Sequence, residues 1–139
     1  MRSYIRFDAT SLPHNVGTNL PDGYRISDGQ EGHLSFGPYL SLDPGSYVAG
    51  FYLRRLAGSN GGLIDMDIAD ISVGAQQVAL KTLSDRDLFE DLAILVAVPF
   101  EMSERLQAVE VRLFVHSGVM IEQRELVVFS TQQRDWSAR

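Results

Sequence analysis

An all-β fold, a two-sheet antiparallel β-sandwich of the jelly-roll kind with about eight strands, is predicted from three observations. Short β-branched or aromatic segments recur, and their polarity alternates with a period of two. Gly, Pro, Asp and Asn separate those segments at short intervals. Helix signals are confined to residues 83–91, where Ser84 can cap one turn.

The strands follow in order. Residues 4–8 open the series, and residues 34–42 add one or two short strands. Residues 46–54 alternate well: Tyr47, Ala49, Phe51 and Leu53 point one way, and Val48, Gly50, Tyr52 and Arg54 the other. In residues 63–73, Ile64, Met66 and Ile68 share a face opposite Asp65 and Asp67. Ile71 and Val73 then arrive one residue out of phase, which places a bulge near Ala69-Asp70. Residues 77–83 give a shorter strand carrying Val78, Leu80 and Leu83. Residues 92–100 are apolar on both faces and read as a central strand covered on both sides. Residues 106–116 set Val109, Val111, Leu113 and Val115 against Glu110, Arg112, Phe114 and His116, and residues 119–130 close the series. Asp43-Pro44-Gly45, Ser59-Asn60-Gly61-Gly62, Val73-Gly74-Ala75 and Ser117-Gly118 supply the turns. Residues 13–32 are rich in Gly, Asn, Asp and Pro and are long for a connection, and long ordered loops are often functional.

The 139 residues are the size of one domain, expected to span 1–139. With 45% hydrophobic and 22% charged residues, a core of normal size can form without disulfides. There are no cysteines, so thiolate nucleophiles, redox switching and Cys-ligated zinc are excluded. The net charge is −6, and of the 12 basic residues only Lys81 is a lysine. No basic run exceeds Arg54-Arg55, so neither nucleic acid nor an anionic membrane is an expected partner. Arg6 and Asp8 interrupt any signal-like apolar start, and no run reaches the length of a membrane span. The expected location is cytoplasmic, as a free protein or as a piece of a longer parent.

The stretch Gly32-His33-Leu34-Ser35-Phe36-Gly37-Pro38-Tyr39-Leu40-Ser41-Leu42-Asp43-Pro44-Gly45-Ser46-Tyr47 resembles the G-x-L-x-x-G-P-Y-x-x-L-x-x-G-x-Y pattern of galactose-binding-like jelly-roll domains. These include non-catalytic carbohydrate-binding modules of the family-6 and family-35 kind, and similar domains attached to bacterial glycosyltransferases. Residues 109–118 look like a second matching strand pair, so the resemblance runs from about residue 30 to about residue 130. It implies a glycan as ligand and a glycosyltransferase as partner. Read physically, Gly37-Pro38 is a sheet corner, since Gly reaches backbone angles closed to other residues and Pro cannot donate to a ladder. Tyr39 and Tyr47 have rings to bury and hydroxyls to satisfy.

Glycan recognition needs aromatic rings for the apolar sugar face and charged or amide groups for its hydroxyls. The polar faces of three strands offer Tyr52 and Arg54, Asp65 and Asp67, and Glu110 and Arg112. If these strands share one concave sheet, an Arg–carboxylate groove results, with His33 and Tyr39 at its rim. The competing account is a set of solvated outward faces joined by surface ion pairs. Arg54 and Glu110 lead the ligand-binding candidates. No cofactor is expected. Related family-6-type modules hold a structural calcium through acids in the first strand, but here Arg6 stands among Ile5-Arg6-Phe7-Asp8, leaving only Asp8 and Asp135 as candidate ligands.

Enzyme chemistry finds little footing. His14, His33 and His116 contain no His-x-His pair, and no Gly-x-Ser-x-Gly elbow occurs. Asp65 and Asp67 lie on one strand face, whereas glycosidase acids must flank a bond from two sides. The expected function is therefore a non-catalytic carbohydrate-binding module. The alternative is a protein-interaction or homo-oligomerising sandwich, with Tyr52, Phe114 and Leu95 as its face. Trp136, the lone tryptophan, is expected to pack back on the domain.

Overall fold

The computed structural model describes residues 4–71, 74, 76–104 and 106–131. Trp136, Asp135, Val73 and Ala75, with the expectations attached to them, lie outside the described residues. The strands are β1 (Tyr4–Phe7), β2 (Thr18–Asn19), β3 (Arg25–Ile26), β4 (Gly32–Ser35), β5 (Pro38–Leu42), β6 (Gly45–Arg55), β7 (Leu63–Asp70), β8 (Gln76–Ser84), β9 (Ile94–Met102), β10 (Leu106–Val115) and β11 (Ile121–Ser130). The count is eleven rather than about eight, because residues 13–32 carry β2 and β3 and residues 34–42 split into β4 and β5. The only helical segments among the described residues are two three-residue 3₁₀ turns, Ala9–Ser11 and Asp85–Asp87. The second is capped by Ser84, whose hydroxyl accepts from Arg86 N–H at 3.2 Å.

All strands pair antiparallel in two sheets, a jelly-roll sandwich. The six-stranded sheet runs β2-β3-β11-β6-β9, with β1 also on β11; the five-stranded sheet runs β4-β10-β7-β8, with β5 also on β10. Period-two patterning decides which side chains fill the space between. Tyr47, Ala49, Phe51 and Leu53 of β6 meet Ile64, Met66 and Ile68 of β7 and Val109, Val111, Leu113 and Val115 of β10 in one buried cluster. A fully buried side chain of this size contributes about 1.5–3 kcal/mol, which makes this layer the main source of stability.

The bulge expected near Ala69 is present as a register shift between Ile68 and Ala69. Residues 92–100 differ from expectation. Most of them belong to β9, an edge strand that among the described residues pairs only with β6, and Leu92 is exposed before it. The run is doubly apolar because Leu95 and Ala97 cover Gly50 on the outer side, not because a second strand flanks it. Leu80 of β8 is exposed as well, on a strand whose partner β7 lies on one side only.

Two central strands, β10 and β11, each share one edge between two short strands, β4 and β5 on β10 and β1 and β3 on β11. Along β10, β4 pairs with Phe114 and Val115 while β5 pairs with Val109 and Glu110. Gly37-Pro38 makes the corner between them, with a cis peptide and a Gly37 φ of 87°. There the Val111 N–H donates to the Gly37 carbonyl at 2.8 Å. Tyr47 is buried and its hydroxyl donates to the Asp43 carbonyl at 2.8 Å.

Candidate functional site

The outer face of the five-stranded sheet gathers most of the expected ligand-binding residues. Register sets Arg112 opposite Asp67 and Phe114 opposite both Asp65 and His33. The Arg112 guanidinium forks onto the Asp67 carboxylate, with Nε donating to Oδ1 at 2.9 Å and Nη2 to Oδ2. Gln77 donates to the same carboxylate at 3.0 Å. One row along, Asp65 accepts from the Thr82 hydroxyl at 2.6 Å and bonds His116 Nε2 at 2.7 Å. His116 Nδ1 stands 3.7 Å from Glu31. The Phe114 ring lies between two imidazoles, His33 and His116, each at 5.1 Å and edge-on.

Burial tempers the roles of individual residues. Glu110 is only 7% exposed and accepts the Gly37 N–H at 3.2 Å, which holds the sheet corner. Tyr39 is 46% exposed at the same corner, with a positive φ of 71°. Burial, then the Arg112 charge, lower the His33 pKa, against opposing pulls from Asp67 and Glu110. Burial raises that of Asp65, but the bonds from Thr82 and His116 outweigh it and hold the carboxyl below its ordinary value.

Tyr52 and Arg54 do not join this face. Both lie on β6, in the six-stranded sheet, so the single groove expected from the sequence divides over the two sides of the sandwich. A polar-facing residue on a strand says which side of its own sheet it takes, but not which sheet that strand enters. Arg54 pairs with Glu122 at 2.9 Å, and Glu122 also binds Arg124 at 2.8 Å. Burial raises the Glu122 pKa, but the bonds from Arg54 and Arg124 prevail and lower it. The interaction face expected from Tyr52, Leu95 and Phe114 divides likewise: Tyr52 and Leu95 are register partners across β6 and β9, and Phe114 is on β10.

Phe114 and His116 are not among the expected ligand-binding residues, although they share the alternating face of Glu110 and Arg112. Tyr24 carries no alternating pattern, although it follows the turn-forming Pro21-Asp22-Gly23 inside the long loop. Asp8 is exposed after β1, and no group of three metal-ligating side chains occurs among the described residues.

Sheet order and register together define a jelly-roll β-sandwich. No protein-family model matches the sequence, and no curated protein matches it. Solved structures share the fold. The xylan-binding module of family 15 superposes with a TM-score of 0.65 at 11% identity, covering 96% of this chain and 100% of that one. The C-terminal family-6 carbohydrate-binding module of a marine laminarinase from Zobellia galactanivorans gives 0.62 at 13% identity, covering 91% and 98%. A glycosylation-associated protein complex from Streptococcus agalactiae gives 0.63 at 12% identity, covering 93% of this chain and 26% of that one.

Proposed function

We propose that this chain is a non-catalytic carbohydrate-binding module that seats a glycan on the outer face of its five-stranded sheet. One observation carries the reading. The Phe114 ring, framed by His33 and His116, stands beside the Arg112–Asp67 fork and the Asp65 carboxylate. Such a face supplies a ring for the apolar side of a sugar and oriented donors and acceptors for its hydroxyls. Tyr39 extends the surface at the corner. The fold is shared with modules named for carbohydrate binding, which supports the reading. Acting as one unit beside a cytoplasmic glycosyltransferase, it would hold polysaccharide or its precursor near the partner and break no bond.

Calorimetric titration with neutral oligosaccharides tests this. Weak, enthalpy-driven binding should fall at least tenfold in Phe114→Ala, with the fold kept. Affinity unchanged in Phe114→Ala and in Arg112→Ala would overturn the site. The likeness to a glycosylation-associated complex favours a second reading, docking to a protein partner. No glycan binding together with clear self-association would favour that one.

A further inference from the structure

A groove of about 450 Å³ crosses the outer face of the six-stranded sheet, on the side of the sandwich away from Phe114 and Arg112. Arg6, Asp8, Tyr24, Tyr52, Arg124 and Glu125 line it. Its size falls in the lower half of the range of small-molecule clefts, about 300–1,000 Å³.

Local structure aims these groups. Between Gln123 and Leu126 the β11–β6 register shifts, while both of those residues stay buried. The bulge therefore turns two consecutive side chains, Arg124 and Glu125, toward the groove. The β2–β3 hairpin brings Tyr24. Its turn is closed by the Leu20 N–H donating to the Tyr24 carbonyl at 2.8 Å and the Tyr24 N–H donating to Asp22 Oδ1 at 3.1 Å. Gly23 takes the positive φ, 90°, that this turn requires. The Arg124 guanidinium then covers the Tyr24 ring at 4.6 Å from its centroid.

The charges are not equally available. Arg6 is paired with Glu125 at 3.0 Å, and Arg124 with Glu122 at 2.8 Å. Asp8 and the hydroxyls of Tyr24 and Tyr52 have no side-chain partner among the described residues. The groove thus offers an unpaired carboxylate and two aromatic rings, while both of its cations are engaged. A carboxylate accepts two hydrogen bonds side by side, which matches the donors of a vicinal diol.

We propose that this groove is a second ligand site, which takes a neutral, hydroxyl-rich sugar unit. Its adjacent hydroxyls donate to Asp8, and its apolar ring face lies on Tyr52, because Arg124 already covers the Tyr24 ring. Acidic sugars are disfavoured, because Asp8 and Glu125 face the ligand and no free guanidinium compensates a further anion. The site stands independently of the one on the opposite sheet.

The test is amide-shift mapping by NMR during titration with neutral gluco-, xylo- and galacto-oligosaccharides, and with oligogalacturonate of equal length. Neutral probes should shift the Gly23, Tyr24 and Tyr52 amides in the wild type and in Phe114→Ala alike. Asp8→Asn should weaken that response at least tenfold with the rest of the spectrum unchanged, and Asp8→Ser should do the same. Oligogalacturonate should bind the groove at least tenfold more weakly. Shifts confined to β7 and β10 would overturn the groove and leave the other face standing. Shifts confined to the groove would do the reverse. Tighter binding of oligogalacturonate, or an Asp8→Asn protein that binds as well as wild type, would overturn the ligand class and the role of Asp8.

Discussion

Arg112 grips both carboxylate oxygens of Asp67 across β10 and β7, with one arm of the fork at 2.9 Å. The Asp67 side chain is 11% exposed and that of Arg112 is 23% exposed. Taking away the guanidinium strands a largely covered carboxylate that, among the described residues, keeps only Gln77. Arg112→Leu should therefore cost about 1–2 kcal/mol, between the values for surface pairs and for buried charged hydrogen bonds. Urea denaturation of Arg112→Leu, Asp67→Leu and the double variant measures the coupling. A coupling near zero would show that the pair contributes no more than two solvated charges.

The sequence and the structure part company at identifiable physical points. Inner-face residues such as Phe51, Met66 and Val111 were legible, because burial on one side of a strand imposes a period of two. The 3₁₀ turn at Asp85 was legible from its Ser84 cap. Sheet membership was not, because Tyr52 and Arg112 show the same local alternation whichever sheet their strands enter. The edge position of β9 was hidden by Gly50. With no side chain of its own, Gly50 leaves a gap that Leu95 fills, so an edge strand carries the apolar content of a central one. Tyr24 lay in a loop whose two-residue strands fall below any periodicity signal.

Arg25 is fully buried, with no carboxylate partner among the described residues. Its guanidinium donates to Asn19 Oδ1 at 2.7 Å, the Leu34 carbonyl at 2.9 Å, the Ser35 hydroxyl at 2.9 Å and the Leu12 carbonyl at 2.8 Å. Burial lowers its pKa to about 10, so it remains a cation at neutral pH. Those bonds tie the long loop to β4, and Ser35 passes the network to Gln123 at 2.6 Å. Arg25→Met should cost about 3 kcal/mol or more, because several buried acceptors lose their donors together. Arg25→Lys should recover little, since an ammonium cannot span the same fork. Protease cleavage within residues 13–32 should accelerate in both. Loop cleavage as slow as in the wild type would refute the tie.

Gly50 tests the packing of β6 against β9. A Cβ there would lie 2.8 Å from the Val96 carbonyl oxygen, 2.8 Å from Leu95 Cδ1 and 3.1 Å from Ala97 Cα. Leu95 can swing aside, but the two backbone atoms cannot without moving the edge strand. Gly50→Ala should destabilise by about 1–3 kcal/mol, the usual range for overpacking, despite the gain in strand propensity. Hydrogen exchange should quicken along β9 first. A more stable Gly50→Ala protein would mean that β9 shifts freely.

Acid should weaken the fold in two steps. His33 has a folded pKa below its ordinary value, chiefly through burial and then the Arg112 charge. Its neutral form is favoured in the folded state, so stability falls as pH drops through about 6.5, where the unfolded imidazole takes its proton. Glu122 and Asp65 form the lower step. In both, burial acts to raise the pKa and hydrogen bonds overcome it, from Arg54 and Arg124 in one and from Thr82 and His116 in the other. A carboxylate with a depressed folded pKa contributes stability that is present above about pH 4 and is lost as pH falls through the folded value. Melting temperatures measured from pH 8 to pH 3 should therefore decline twice. His33→Asn should remove the step near 6.5 and leave the lower one. Glu122→Gln should be less stable at pH 7 yet show a shallower loss below pH 5, because it has no carboxylate there to protonate. Parallel curves for Glu122→Gln and wild type through the acid range would show that the Arg54–Glu122–Arg124 bonds do not couple folding to pH.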